Sequence, residues 1–169
     1  MPAMAPPDDA TVLTLIGSDF IVRGRLLRSG VQRVSDHLNE SSGRPMLVLG
    51  DATLEGAEGF GTDLSEVAVT TSQLLFVIPD KERPPLVELR VAKQRRRMRM
   101  LVGDYIVDGD MHMVPDITVE RFVNMGGSEF LPVTDAEIIG TEMERREAML
   151  LVRRHAIRML TPIEVAVAR

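Results

Sequence analysis

Short apolar runs alternate with turn-forming residues along this chain, and the alternation runs through the same sequence of elements twice. Val12-Leu13-Thr14-Leu15-Ile16, the break Gly17-Ser18-Asp19 and the run 20–27 predict two strands joined as a hairpin. Val34-Ser35-Asp36-His37-Leu38-Asn39 predicts one or two helical turns, with Ser35 as N-cap and Asn39 at the stop. A strand follows over 46–54. After Gly56, Gly59 and Gly61, the runs 67–70 and 74–78 predict a closing hairpin around Thr71-Ser72-Gln73.

The second pass is an internal repeat. Asp19-Phe20-Ile21-Val22-Arg23-Gly24-Arg25-Leu26 returns 85 residues later as Asp104-Tyr105-Ile106-Val107-Asp108-Gly109-Asp110-Met111. The same offset carries Val34 onto Val119 and Asn39 onto Asn124. With one residue lost, Leu47, Asp51, Ala52 and Gly56 map onto Leu131, Asp135, Ala136 and Gly140, and Pro79 finally matches Pro162. A repeat fixes units and ambiguous segments together. Residues 143–151 (Met-Glu-Arg-Arg-Glu-Ala-Met-Leu-Leu) and 91–102 are full of strong helix formers. Yet 152–162 aligns with the β-branched 69–79, so the repeat predicts strands at 148–152 and 156–160 with a turn at Arg153-Arg154-His155.

The expected fold is therefore mainly β, a β-rich α+β arrangement. Two ββ-α-β-ββ units, each a small curled antiparallel sheet or half-barrel with one short helix, pack as a pseudo-symmetric pair. Residues 1–10 read as a flexible tail, 11–79 as unit one, 80–86 as a Pro-rich linker, 87–163 as unit two and 164–169 as a C-terminal tail. Val87, Leu89 and Val91 alternate with Glu88 and Arg90, a strand pattern that lengthens the first strand of unit two. Arg23 and Arg25 correspond to Asp108 and Asp110. If the units meet about a twofold axis, these opposite charges pair across it; otherwise both sets are solvated.

Composition narrows the chemistry. Of 169 residues 44% are hydrophobic, but only 4% are aromatic, so eleven Met with many Val, Leu and Ile must fill the core. The net charge of −5 argues against general nucleic-acid binding. The chain has no Cys, which excludes disulfides, thiolate catalysis and Cys-ligated metals. No basic-then-apolar leader and no long apolar run is present, which points to a cytoplasmic protein without a membrane span.

No candidate catalytic constellation emerges. His37, His112 and His155 do not share a ligand spacing. Met111-His112-Met113 invites Cu(I), but in a strand the two Met face away from His112, and core methionines are the better account. There is no nucleophile elbow, Walker loop or dinucleotide fingerprint. Asp51 and Asp135 precede equivalent strand segments and read as turn-forming residues rather than active-site acids. The expectation is a non-enzyme that uses no cofactor and no metal.

The sharpest functional signal is Lys93-Gln94-Arg95-Arg96-Arg97-Met98-Arg99, five cations in seven residues, extended if Arg153, Arg154 and Arg158 lie near. Such a strip suits phosphates, though the few aromatics offer no stacking platform. The plainer reading is a strand that balances acidic neighbours such as Glu142, Glu144 and Glu147.

Two motifs carry a resemblance. Arg33-Val34-Ser35-Asp36-His37-Leu38-Asn39 and Phe130-Leu131-Pro132-Val133-Thr134-Asp135-Ala136 are similar to the "basic–Leu–Ser–Asp–aromatic–Leu–Asn" helix and the "Phe–Leu/Ile–Pro–Leu–Thr–Asp–Ala/Val" strand of an uncharacterised family of small bacterial domains of unknown function. Each unit keeps one hallmark and has lost the other. The resemblance implies a bacterial source and no activity, so no site residue is carried over. Three functional expectations result. The first is a non-catalytic interaction or regulatory module that docks a protein partner, or itself, through exposed strand edges. The second is a nucleic-acid or polyanion binder working through Lys93, Arg95, Arg96, Arg97 and Arg99. The third is a small-ligand sensor with a Met- and Val-lined pocket between the units.

Overall fold

The computed structural model describes residues 11–27, 33–40, 45–57, 59–81, 93–125, 127–140 and 143–164. Both tails (save Glu164), most of the linker and the strand pattern expected at 87–91 lie outside those residues. The elements are β1 (Val12–Gly17), β2 (Ile21–Leu26), α1 (Val34–Glu40), β3 (Met46–Glu55), β4 (Asp63–Thr70) and β5 (Leu74–Pro79). They continue with β6 (Gln94–Val102), β7 (Tyr105–Met113), α2 (Val119–Asn124), β8 (Phe130–Ile139), β9 (Glu144–Arg153) and β10 (Ile157–Pro162). All ten strands join one antiparallel sheet in the order β10-β6-β7-β8-β9-β5-β1-β2-β3-β4. The chain is mainly β with two short helices, and the sheet is not closed into a barrel: β10 and β4 are its ends.

Burial explains why helix formers adopt strands here. In β6, Met98, Met100 and Val102 are fully buried at a spacing of two, and in β9 Leu150, Leu151 and Val152 are fully buried. Helix preference amounts to tenths of a kcal/mol per residue, whereas burying one such side chain stabilises by about 1.5–3 kcal/mol. The segment 144–153, whose composition reads as helix, is therefore strand throughout.

Two expected hairpins are corrected. β4 and β5 do not pair with each other: β4 pairs with β3, and β5 with β1 and β9. Likewise β9 pairs with β8 and β5, while β10 pairs with β6. The connecting residues lack the Gly or Asn that a tight hairpin turn needs. They form 3-10 turns instead, at Thr71–Gln73 and Arg154–Ala156. The Thr71 N–H donates to the Pro45 carbonyl at 2.9 Å and the Arg154 N–H to the Glu129 carbonyl at 2.7 Å, which turns the chain out of the ladder. A smaller correction concerns α1, which begins at Val34, so Ser35 lies inside its first turn rather than capping it.

Asp51 and Asp135 also differ from expectation. They lie within β3 and β8 at φ 48° and 46°, where the ladders to β2 and β7 shift register. Each marks a β-bulge, with Asp accepting the left-handed backbone that branched residues avoid. The opposite strand carries glycine at both places. A Cβ on Gly109 would collide with Val133 Cγ1, and one on Gly24 would lie 3.0 Å from both Ala52 Cβ and the Gly50 carbonyl.

The core has two parts that meet at the central strands. Phe76 and Ile78 of β5 join Met98, Met100, Val107 and Met111, while Leu74 and Val77 join Leu13, Leu15, Leu49 and Phe130. Phe76 and Val77 are consecutive in a strand, as are Leu151 and Val152, so the two clusters lie on opposite faces of β5 and β9. A second stitch crosses the junction. Asn39, at the end of α1, donates from Nδ2 to the Phe130 carbonyl at 3.2 Å, and its Oδ1 accepts from the Phe130 N–H at 2.9 Å. Arg153 Nε donates to the Leu74 carbonyl at 2.6 Å.

Replacing Asn39 with Ala leaves both polar groups of a part-buried peptide without their partners. Asn39→Ala is expected to lower unfolding free energy by roughly 2–3 kcal/mol, whereas Asn124→Ala, at an exposed position, changes it by under about 0.5 kcal/mol. Urea denaturation of the two variants measures both.

Candidate functional site

The basic strand β6 sits beside the acidic positions of β7, and the ladder sets Arg97 opposite Asp110 and Arg99 opposite Asp108. Arg99 grips Asp108 with both arms of its fork, Nε to Oδ1 and Nη2 to Oδ2, each at 2.7 Å. Arg95 donates to Asp110 and, at 2.8 Å, to Oδ2 of Asp135. Arg97 donates to Asp110 Oδ1 at 3.3 Å and to the Asp135 carbonyl at 2.9 Å. The bulge at Asp135 is what brings that carboxylate and carbonyl to β6, two strands away.

These contacts set the protonation states. The fork from Arg99 holds the Asp108 carboxyl below the usual carboxylate range, against its partial burial. Burial pushes the Asp110 carboxyl up, but hydrogen bonds from Arg95 and Arg97 together outweigh it and the net displacement is downward. Both aspartates keep only 13% and 12% of their side-chain surface in water, so they are charged groups that need these partners. His112 is held neutral, first by burial and then by the cations Arg95 and Lys93, and its Nε2 lies 2.7 Å from Thr134 Oγ1. Met111 and Met113 turn the other way into the core.

Of the expected polyanion strip, Arg95, Arg97 and Arg99 are thus engaged by carboxylates. Lys93 and Arg96 are exposed and make no ion pair among the described residues. The further arginines do not extend the strip. Arg153 bonds the Leu74 carbonyl, Arg154 bonds the carbonyls of Ser128 and Val123, and Arg158 bonds the Gly103 carbonyl.

The pairing expected between Arg23/Arg25 and Asp108/Asp110 does not form. β2 and β7 are separated by β8, β9, β5 and β1. Arg23 binds Asp80 at 3.0 and 2.8 Å and Arg25 binds Asp51 at 3.1 Å, while Asp108 and Asp110 of β7 are held by the arginines of β6. The first and second halves of the chain join through β5 and β9 rather than through these strands, so each set of charges finds local partners. Asp80, read as linker, is also tied down by its N–H to the Val12 carbonyl at 3.0 Å.

A cleft of about 440 Å³ lies over β6, β8 and β9, lined by Arg97, Asp135, Ala136, Glu137, Arg146, Glu147 and Ala148. Its charged lining and its position within the second half differ from the apolar pocket expected between the units.

The remaining feature of note is the pair of sheet ends. Among the described residues, β4 pairs only with β3 and β10 only with β6. Met159 on β10 is 65% exposed and Met46, at the start of β3 beside β4, is 44% exposed. Ala68 on β4 and Asn124 at the end of α2 are also exposed. Sequence reading assigned 67–78 and 148–160 to hairpins and so hid which strands would be edges. The missing turn glycines were the available signal. No helix among the described residues is long and apolar enough to cross a membrane. Compared with known proteins, the chain matches no protein family, no curated protein and no solved structure.

The shifted groups set an expected pH profile. His112 accepts a proton more readily unfolded than folded, so stability falls as pH drops through about 6.5. Asp108 and Asp110 have depressed folded values, so their contribution is present above about pH 3.9 and is lost as pH falls through their folded values. Urea midpoints measured against pH are expected to fall in two steps, with His112→Gln removing the first and Asp108→Asn reducing the second.

Proposed function

We propose that this protein is a non-catalytic interaction module made of two copies of one ββ-α-β-ββ unit, 11–79 and 87–163, that docks a protein along its unpaired strand edges. The observation that carries this reading is the pair of open edges, one of which displays Met159 65% exposed. Unpaired N–H and C=O groups beside an apolar side chain are a template for strand addition.

The duplication is supported strand by strand. The first half is ordered β5-β1-β2-β3-β4 and the second β10-β6-β7-β8-β9. Ile16 faces Phe76 as Leu101 faces Met159, and Leu13 faces Pro79 as Met98 faces Pro162, with a register break just beyond the first pair in both halves. Leu47 faces Val69 as Leu131 faces Val152. The two aspartate bulges and the two 3-10 turns occupy matching places. A bacterial setting is part of the same proposal, on the short-motif resemblance.

The polyanion reading rests on Lys93 and Arg96 alone once Arg95, Arg97 and Arg99 are neutralised, which is too few cations for a strong, steeply salt-dependent contact. The ligand-sensor reading draws its support from the charged cleft over β6, β8 and β9 among the described residues.

The test is affinity capture of partners from native cells by the tagged protein, with and without nuclease. Wild type is compared with the edge variants Met159→Glu and Ala68→Lys and with Lys93→Ala/Arg96→Ala. Edge docking predicts that at least one edge variant loses its captured protein, while nuclease and the cation variant leave capture intact. Capture that survives both edge variants, or vanishes with nuclease, defeats it.

A further inference from the structure

The junction inside the chain and the two open edges are built from matching parts. At the junction, Phe76 of β5 faces Val152 of β9, and Val77 faces Leu151. By the alignment of the two halves, Phe76 corresponds to Met159, Val77 to Leu160, Val152 to Val69 and Leu151 to Ala68. The strands that would repeat the junction are therefore β10 and β4, the two ends of the sheet. We infer that β10 of one molecule pairs antiparallel with β4 of a second copy, Met159 opposite Val69 and Leu160 opposite Ala68, reproducing between chains the β5–β9 junction within the chain. This rests on the duplication and edge-docking reading above and names its partner.

Each exposed group at the ends has a buried or bonded counterpart at the junction. Phe76 is fully buried and meets Tyr105 edge-on with ring centroids 5.9 Å apart. Its counterpart Met159 is 65% exposed, and the counterpart of Tyr105 is Phe20, a ring well suited to a methionine sulfur. Phe130 is fully buried and its peptide is held by Asn39. Its counterpart Met46 is 44% exposed, and Asn124, the counterpart of Asn39, is exposed on α2. In the inferred assembly Asn124 of one molecule reaches the Met46 peptide of the next.

Charge selects the head-to-tail pairing over its alternatives. β4 carries Asp63 and Glu66 and no base, whereas β10 carries Arg158 and no acid. Pairing β4 with another β4 sets acids against acids, and pairing β10 with β10 sets arginines together; β4 with β10 does neither. One contact is missing from the copy. Arg153 spans the internal junction to the Leu74 carbonyl, but its counterpart is Thr70, which is too short to do so. The association is accordingly weaker than the internal junction and reversible. Being heterologous, it closes into a ring only if the rotation allows and otherwise extends.

The chain has no cysteine, so engineered thiols report the register directly. Ala68→Cys and Leu160→Cys proteins are mixed and oxidised, since directly opposed antiparallel positions lie about 4.5–5.5 Å apart, within disulfide reach. Self-pairing predicts a disulfide heterodimer in clear excess over either homodimer. Sedimentation from about 1 µM to about 1 mM is expected to show concentration-dependent association. Met159→Asp should weaken it at least tenfold without changing the urea midpoint of the monomer. A wild type that stays monomeric throughout, with no heterodimer excess, overturns the inference. If Met159→Asp then still abolishes capture of another protein, edge docking stands with a different occupant. If capture is also unchanged, the edge reading falls with it.

Discussion

β5 and the Leu150–Val152 end of β9 are buried on both faces, and the rest of the sheet is arranged around the need to cover them. A strand with one wet face can stand at any position in a sheet, but one whose six residues are all buried, as in β5, needs a packed layer on each side. The chain supplies those layers from its two halves. Phe76 and Ile78 turn toward the methionine-rich cluster, Leu74 and Val77 toward the leucine-rich one. Only two residue pairs hydrogen-bond β5 to β9 as a ladder. The junction is therefore held mainly by side-chain burial, reinforced by Asn39 and Arg153 on backbone groups.

The charged face shows the opposite economy. Asp108 and Asp110 lose most of their hydration, which is unfavourable by several kcal/mol per ion unless compensated. Alternation makes the compensation local: Arg97 and Arg99 of β6 face Asp110 and Asp108 directly across the ladder, and Arg95, on the same side, reaches Asp110 as well. In the first half the second strand carries Arg23 and Arg25, and the compensating acids come from Asp80 and the bulge at Asp51. The same backbone device, an aspartate bulge over a glycine, thus serves two opposite charge patterns.

Much of the architecture was legible in the residues. The recurring pattern pointed to strands at 148–152 and 156–160 despite a helix-forming composition, because Val152 to Pro162 could be read through the β-branched 69–79; β9 begins earlier, at Glu144. What it could not give was strand order. Whether β4 joins β5 or β3 depends on the 3-10 turns at Thr71 and Arg154, whose anchoring carbonyls at Pro45 and Glu129 are about 25 residues distant in sequence. The fate of the basic run was likewise non-local: Asp135, 40 residues away, reaches Arg95 only because a bulge bends β8. The edges were invisible for the same reason as the order, since an edge is defined by what does not pair.

The stitch between Asn39 and Phe130 spans 91 residues, and β5 waits for β9 across a similar stretch. During synthesis the first half is complete once residue 79 has emerged, yet Phe76 and Ile78 then face water with no layer to receive them. At about 5–20 residues per second the ribosome needs several seconds to deliver β9. Throughout that interval the nascent chain presents an apolar strand on a finished sheet, which makes the half-made protein a natural client for a chaperone at the exit tunnel.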